Sequence, residues 1–247
     1  LTEIDKIPLN SERGLTARTY FEKGDYQAAR DVLDAKEMGK EKLALLQKEE
    51  QVEKQREELR NQKNSLAADY ILKAKLTALA YQLGDERISQ TRQYFEESLE
   101  LSRTPDSLFE YALFLQKHNQ FYDSGELYQE ALGIYRELAK ANPQVYLPDV
   151  ATTLNNLGIL VAADSGRHSE AEKLYQEALK IRRELAKANP QVYLPDVAMT
   201  LNNLGNLVSA DSGRHSEAEK LYQEALKIYR ELAKANPQVY LPDVAMT

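Results

Sequence analysis

The sequence predicts an all-α protein, a right-handed α-solenoid of about five helical hairpins with one long charged helix near the N-terminus. Three observations lead there. Over 247 residues there are only 10 glycines and 8 prolines, with 29% charged residues, a balance that suits helix interiors, which exclude glycine and proline. Six of the prolines form three spaced pairs, Pro143/Pro148, Pro190/Pro195 and Pro237/Pro242, and successive pairs lie 47 residues apart. Around them ELAKANPQVYLPDV recurs at 137–150, 184–197 and 231–244. A fixed period in the range of about 20–50 residues is the signature of stacked repeats.

Each 47-residue unit reads as two helices, A and B. Helix A runs from about Asp149 to Ala163, with Leu154, Leu157, Leu160 and Val161 on one stripe. Gly158 lies in that stripe, where a missing side chain lets another helix approach closely, at about 1 kcal/mol against alanine. The turn is DSGRH, Asp164 to His168. Ser169 with Glu172 has the S-x-x-E form of a capping box at the start of helix B. Ala171, Leu174, Tyr175, Ala178, Leu179, Ile181 and Leu185 make its apolar face. Asn189 and Pro190 end it, and NPQVYLP reads as the link to the next helix A. Residues 137–183 and 184–230 differ at four positions: Thr152/Met199, Ile159/Asn206, Ala162/Ser209 and Arg182/Tyr229.

These residues resemble the tetratricopeptide repeat (TPR). Leu154, Leu157-Gly158 and Val161 match its helix A, and Ala171, Tyr175 and Ala178 match its helix B. Leu201, Leu204-Gly205, Val208, Ala218, Tyr222 and Ala225 repeat the match. The nearest flavour is the kinesin-light-chain type, through PDVA-x-x-LNNL and EAE-x-x-Y-x-x-AL-x-I. The chain departs from the family in its 47-residue period, against a basic 34, and in its NPQVYLP link.

Further upstream the pattern decays. Residues 1–35 hold a leading segment and a degenerate hairpin, carried by Ala17, Tyr20, Gly24, Ala29 and Leu33. Residues 36–65 read as a long charged helix in which Leu45, Val52, Leu59 and Leu66 recur every seven positions. The second seam position of a coiled coil is polar there, so the expectation is a narrow stripe laid on the array, with dimerisation as the alternative. Residues 66–104 hold another degenerate repeat. Residues 105–147 hold a repeat with Thr104 as N-cap and Pro105 at the first helical position. The two 47-residue repeats span 148–194 and 195–241, and 242–247 begin a further helix A. Beginning at Leu1 and closing inside a helix A, the chain reads as a window onto a longer array.

Composition excludes several function classes. With no cysteine there is no disulfide framework, thiolate metal site or cysteine nucleophile. A net charge of −7 disfavours nucleic acid as the main partner. No apolar run is long enough to span a membrane and no charged-then-apolar leader opens the chain, so a cytoplasmic location is expected. Asp164, Ser165 and His168 (repeated as Asp211, Ser212 and His215) sit on one short turn, which offers neither the separate supports nor the oxyanion hole of a hydrolase triad. His168 and His215 lack converging ligands for a metal, and Met38 to Lys42 lacks the upstream glycine of a phosphate loop. No catalytic, cofactor-binding or metal-binding residues are expected, and no cofactor.

One face of helix A stands out. Thr152, Asn155, Ile159 and Ala162 recur at i, i+3, i+7 and i+10, followed by Met199, Asn202, Asn206 and Ser209 in the next repeat. Three of the four repeat differences fall on it, which even scatter would produce roughly once in a thousand trials on a face defined by helical geometry. In the family this face lines a concave groove for peptides. Thr152, Asn155, Asn156, Ile159, Ala162, Met199, Asn202, Asn203, Asn206 and Ser209 are therefore the candidate partner-binding residues. The asparagines suit a peptide backbone through paired donors and acceptors, with bonding to a neighbouring helix as the alternative. The family's chaperone-tail clamp would need lysine at Asn155 or Asn202. The expected function is a non-enzymatic protein–protein interaction scaffold. The alternatives are a regulatory module of a larger signalling or defence protein, and an architectural array that self-associates end to end.

Overall fold

The computed structural model describes residues 6–84 and 86–247, and every regular element among them is helical. The helices are α1 (Glu12–Glu22), α2 (Tyr26–Val32), α3 (Ala35–Leu79), α4 (Glu86–Leu101), α5 (Pro105–Lys117), α6 (Phe121–Ala141), α7 (Pro143–Ala162), α8 (His168–Ala188), α9 (Pro190–Ser209), α10 (His215–Ala235) and α11 (Pro237–Met246). They belong to two compact units, 1–62 and 63–247, whose boundary falls inside α3.

In the first unit, α1 and α2 form a short hairpin. The Ser11 hydroxyl caps α1 by accepting from the Gly14 N–H at 3.0 Å, and Asp25 caps α2 by accepting from Ala28 N–H at 3.0 Å. Gly24, at φ +78°, supplies the left-handed residue of the turn. Arg13 donates two bonds to Glu41 on α3, at 3.1 and 2.6 Å. The sequence places a boundary near residue 65, but α3 runs through it without a break. Leu45, Val52 and Leu59 are all exposed, as is Leu66 in the second unit. The expected burial of this stripe is not found. One apolar position per heptad, flanked by Lys48, Gln55 and Gln62, is too narrow to exclude water along a 45-residue helix.

The second unit is the repeat array, a helical solenoid. Its A-helices are the end of α3, then α5, α7, α9 and α11, and its B-helices are α4, α6, α8 and α10. Thr104 caps α5 as expected, accepting from Ser107 N–H at 3.1 Å with Pro105 in the first turn. The core alternates the two stripes read from the sequence: Leu154, Leu157 and Val161 against Ala171, Tyr175 and Ala178, all buried. Between successive B-helices, outward ion pairs repeat, Arg136–Glu177 (2.7 Å) and Arg183–Glu224 (2.6 Å), and Arg103 in the connection after α4 makes a similar pair with Glu130 of α6 (2.5 Å). Being half exposed, each contributes at most about 1 kcal/mol.

Two local expectations need correction. NPQVYLP is not a link: α7 and α9 begin at Pro143 and Pro190, so the segment is the first two turns of helix A. Proline at the first helical position loses a donor that has no intrahelical partner anyway. Pro148 and Pro195, within the helix, each remove one further bond near its start. Only Asn142 or Asn189 separates helix B from the next helix A. The second correction concerns the turn. Helix α8 begins at His168 without a side-chain cap, so the Ser169–Glu172 box does not form. Asp164 instead accepts from Gly166 N–H at 2.9 Å, and Glu172 accepts two bonds from Arg214 of the next repeat, both at 2.8 Å.

The glycines of the A-helices fix hairpin spacing. A Cβ on Gly158 would stand 2.7 Å from the Tyr175 ring, and one on Gly205 2.7 Å from the Tyr222 ring, whereas one on Gly133 would meet nothing within 4 Å. Gly158→Ala is therefore expected to lower stability by about 1–3 kcal/mol through overpacking, despite alanine's better helix propensity. Gly133→Ala should raise it by about 0.5–1 kcal/mol. Urea unfolding of the two variants beside the parent checks both signs.

Candidate functional site

The ten candidate residues lie on α7 and α9, but not on equal terms. Ile159 is 40% exposed, Met199 38% exposed, and Asn206 is exposed as well. Thr152, Asn156, Ala162, Asn202, Asn203 and Ser209 are half-buried. Asn155, at 1% exposure, is buried and out of a partner's reach.

The asparagines turn out to clasp the repeats together. Tyr128 donates its hydroxyl to Gln116 Oε1 at 2.9 Å and accepts from Asn156 Nδ2 at 3.3 Å. Asn155 Nδ2 donates to Asn156 Oδ1 at 3.5 Å, and Asn155 Oδ1 accepts from Asn203 Nδ2 at 3.1 Å. A polar thread thus runs from α5 and α6 through α7 to α9. Asn202 Nδ2 donates to Thr247 Oγ1 at 2.8 Å. The reading of these residues as a peptide-backbone rail is corrected for Asn155; the side chains of Asn156 and Asn203 are already engaged, and Asn202 is engaged through Nδ2 while its buried Oδ1 has no partner. Buried amides must find partners, and A-helices packed side by side place those partners in the neighbouring repeat.

Sequence reasoning missed the most unusual side chain. Arg182 on α8 is 1% exposed. Its Nη1 donates to the Asp196 carbonyl oxygen at 3.1 Å and to Thr200 Oγ1, and Nη2 donates to Thr152 Oγ1 at 3.4 Å. Its Nε is buried without a partner, and among the described residues no carboxylate bonds the group. Desolvation by burial lowers its pKa, opposed by the charge of Asp196. The equivalent positions hold Tyr135 and Tyr229, both buried. An arginine in an aromatic slot is the signal that could have revealed it.

That contact also changes how the repeat differences read. Thr152 touches Arg182, so Thr152/Met199 and Arg182/Tyr229 vary as neighbours. Asn206 accepts from the Tyr222 hydroxyl at 2.8 Å, a bond that Ile159 in the previous repeat has no atom to make. Part of the variation on this face therefore reflects packing within each repeat. The DSGRH residues serve the turn, with Asp164 as its cap. A second apolar run went unnoticed: Leu72, Leu76 and Leu79 of α3 are 57%, 58% and 67% exposed. Their i, i+4, i+7 spacing was the available signal.

Asn203→Ala leaves the buried Asn155 Oδ1 without its donor and is expected to cost about 1–3 kcal/mol. Asn206→Ala, at an exposed position, should stay within about 1 kcal/mol, and denaturant titrations separate the two. Converting the Arg182 site to its neighbour's chemistry, Arg182→Tyr with Thr152→Met, should leave stability unchanged or raise it by about 1–4 kcal/mol. Arg182→Ala, which leaves a cavity, should lower it by about 2–5 kcal/mol. Thermal melts of the three proteins check this ordering.

Tetratricopeptide-repeat profiles match residues 103–184 and 197–238, together about half of the chain. BtubC (BKLC) from P. vanneervenii is a structural neighbour with TM-score 0.56 and 22% identity, over 91% of this chain and 93% of that one. A putative kinesin light chain from Podosopora anserina, with nearly identical TPR-like repeats, is another. A single-substitution variant of it has TM-score 0.52 at 20% identity, over 91% of this chain and 95% of that one. No curated protein matches the sequence. At these identities the neighbours establish the fold, and the profiles establish the repeat type: the chain belongs to the tetratricopeptide-repeat family.

Proposed function

We propose that the array at 63–247 is a non-catalytic scaffold that holds partner protein segments along the exposed face of its A-helices. Repeats of this family commonly mediate protein–protein interaction. The observation that carries the finer reading is the exposure of Ile159 and Met199 on a face whose other residues are, Asn206 apart, half-buried or buried. Large apolar side chains left in water on a rigid, interlocked surface are what an incoming peptide can cover. Thr152, Ala162, Asn206 and Ser209 surround them with small or polar groups. Asn156, Asn202 and Asn203 support the face from within, and Asn155 lies beneath it.

No basic residue stands at Asn155 or Asn202, which speaks against recognition of a terminal carboxylate at those positions. The scaffold's rigidity helps in a specific way: the hydrogen-bonded thread holds the face in one arrangement, so a partner does not have to order it on binding. A peptide library displayed on phage and panned against the whole chain tests this reading. Enriched peptides should lose at least tenfold in affinity for the Ile159→Asp/Met199→Asp protein, yet bind an Arg136→Glu control on a B-helix normally. Equal binding to all three proteins, or no enrichment, would sink the proposal.

A further inference from the structure

We propose that a cavity between α3, α4 and α5 is a separate binding site for a small amphiphilic carboxylate, an aliphatic or aromatic acid. The cavity holds about 480 Å³, within the roughly 300–1,000 Å³ typical of small-molecule sites. Phe95 and Phe114 are its buried aromatic residues, with Ile88 and Leu113 half-buried beside them and Leu79 and Tyr81 exposed at its mouth. Tilted ring contacts hold the aromatic part: the Phe95 and Phe114 ring centres lie 5.5 Å apart, and the His118 ring lies 4.6 Å from that of Phe114. An apolar chain or ring is the chemistry such walls receive.

The charge at this cavity runs against that of the molecule. The chain carries −7 overall, yet among the described residues Lys75, Arg87 and Lys117 line the cavity against a single acid, Glu110. Lys75 is paired to Glu110 at 2.6 Å. Arg87 donates to the Ala78 carbonyl oxygen at 3.2 Å and lies 4.5 Å from the centre of the Tyr81 ring, which neutralises none of its charge. Lys117 is exposed at the C-terminal end of α5, and no acid in the described lining faces it beyond the one Lys75 already holds. Among the described lining residues positive charge therefore remains in excess around an apolar hollow, a combination that selects an anion with a greasy body over a neutral or cationic one. Neither this pocket nor its lysines belong to the α7–α9 face, so the two sites can be tested separately.

The test uses the whole chain and three ten-carbon probes, decanoate, decanol and decylamine, titrated by calorimetry below the micellar concentrations of the two ions and the solubility limit of decanol. Decanoate should bind saturably and at least tenfold more tightly than decylamine, with decanol between them. Lys117→Glu and Leu79→Asp, both at exposed positions, should each weaken decanoate at least fivefold while circular dichroism and melting temperature stay at parental values. Ile159→Asp should leave decanoate binding unchanged. Lys117→Gln, which removes the charge without reversing it, should fall between the parent and Lys117→Glu. The proposal is overturned if decanoate does not saturate, if decylamine binds as well, or if either Lys117→Glu or Leu79→Asp binds like the parent.

Discussion

The contact on which the array depends is a tyrosine ring lying against a bare stretch of helix. Tyr175 and Tyr222 press on Gly158 and Gly205 so closely that a single added carbon would stand 2.7 Å from the ring. This sets the distance between helix A and helix B, and every later feature inherits that distance. Alanines at Ala171, Ala178, Ala218 and Ala225 keep the rest of the seam equally thin. Interiors are packed to crystal-like density, so a hairpin built this way has one spacing rather than a range.

Given that spacing, stacking of hairpins becomes a matter of polar bookkeeping at the A-helices. A single asparagine between helix B and the next helix A leaves little freedom in how repeats follow one another. The side chains that meet there are amides, and each buried amide needs a partner. The thread from Gln116 through Tyr128, Asn156 and Asn155 to Asn203 satisfies several of them at once. Arg182 is the costlier member of the same region. Its charge is buried among hydroxyl and carbonyl oxygens, and burying a cation without a bonded carboxylate is unfavourable. Its neighbours Tyr135 and Tyr229 occupy the same slot without that cost. Half-buried Asp149 shows the converse strain, its carboxyl held above the usual range by burial first and by Asp106 second.

The two faces proposed as binding surfaces differ in kind. On α7 and α9, apolar side chains stand singly among small and polar ones, above an amide lattice. Between α3, α4 and α5, apolar and aromatic groups enclose a hollow, with cations in excess. The difference follows from the degeneracy of the earlier repeat. Where the 47-residue text is intact, glycine, tyrosine and small alanines bring helix A close against helix B. Where it has decayed, Phe95, Tyr111 and Phe114 pack on one another and leave a space beside them.

By itself the sequence determined the class of the protein. Its period, its glycine and tyrosine positions and the Thr104–Pro105 start were all written in residue types whose physical demands are local: a ring needs a bare helix, a proline needs a first turn. Only the tertiary structure decided what the polar residues do. Asn155 looks the same in sequence whether it faces a peptide or a neighbouring helix, because an amide is satisfied equally by either. Ser169 and Glu172 have the spacing of a cap, yet Glu172 is claimed by Arg214 from the next repeat, 42 positions away. Arg182 could be recognised as out of place but not as buried, since burial is set by α7 and α9 closing over it. Hydrophobic spacing declares its own partner surface, whereas a hydrogen bond is a choice among competitors that only the folded geometry makes.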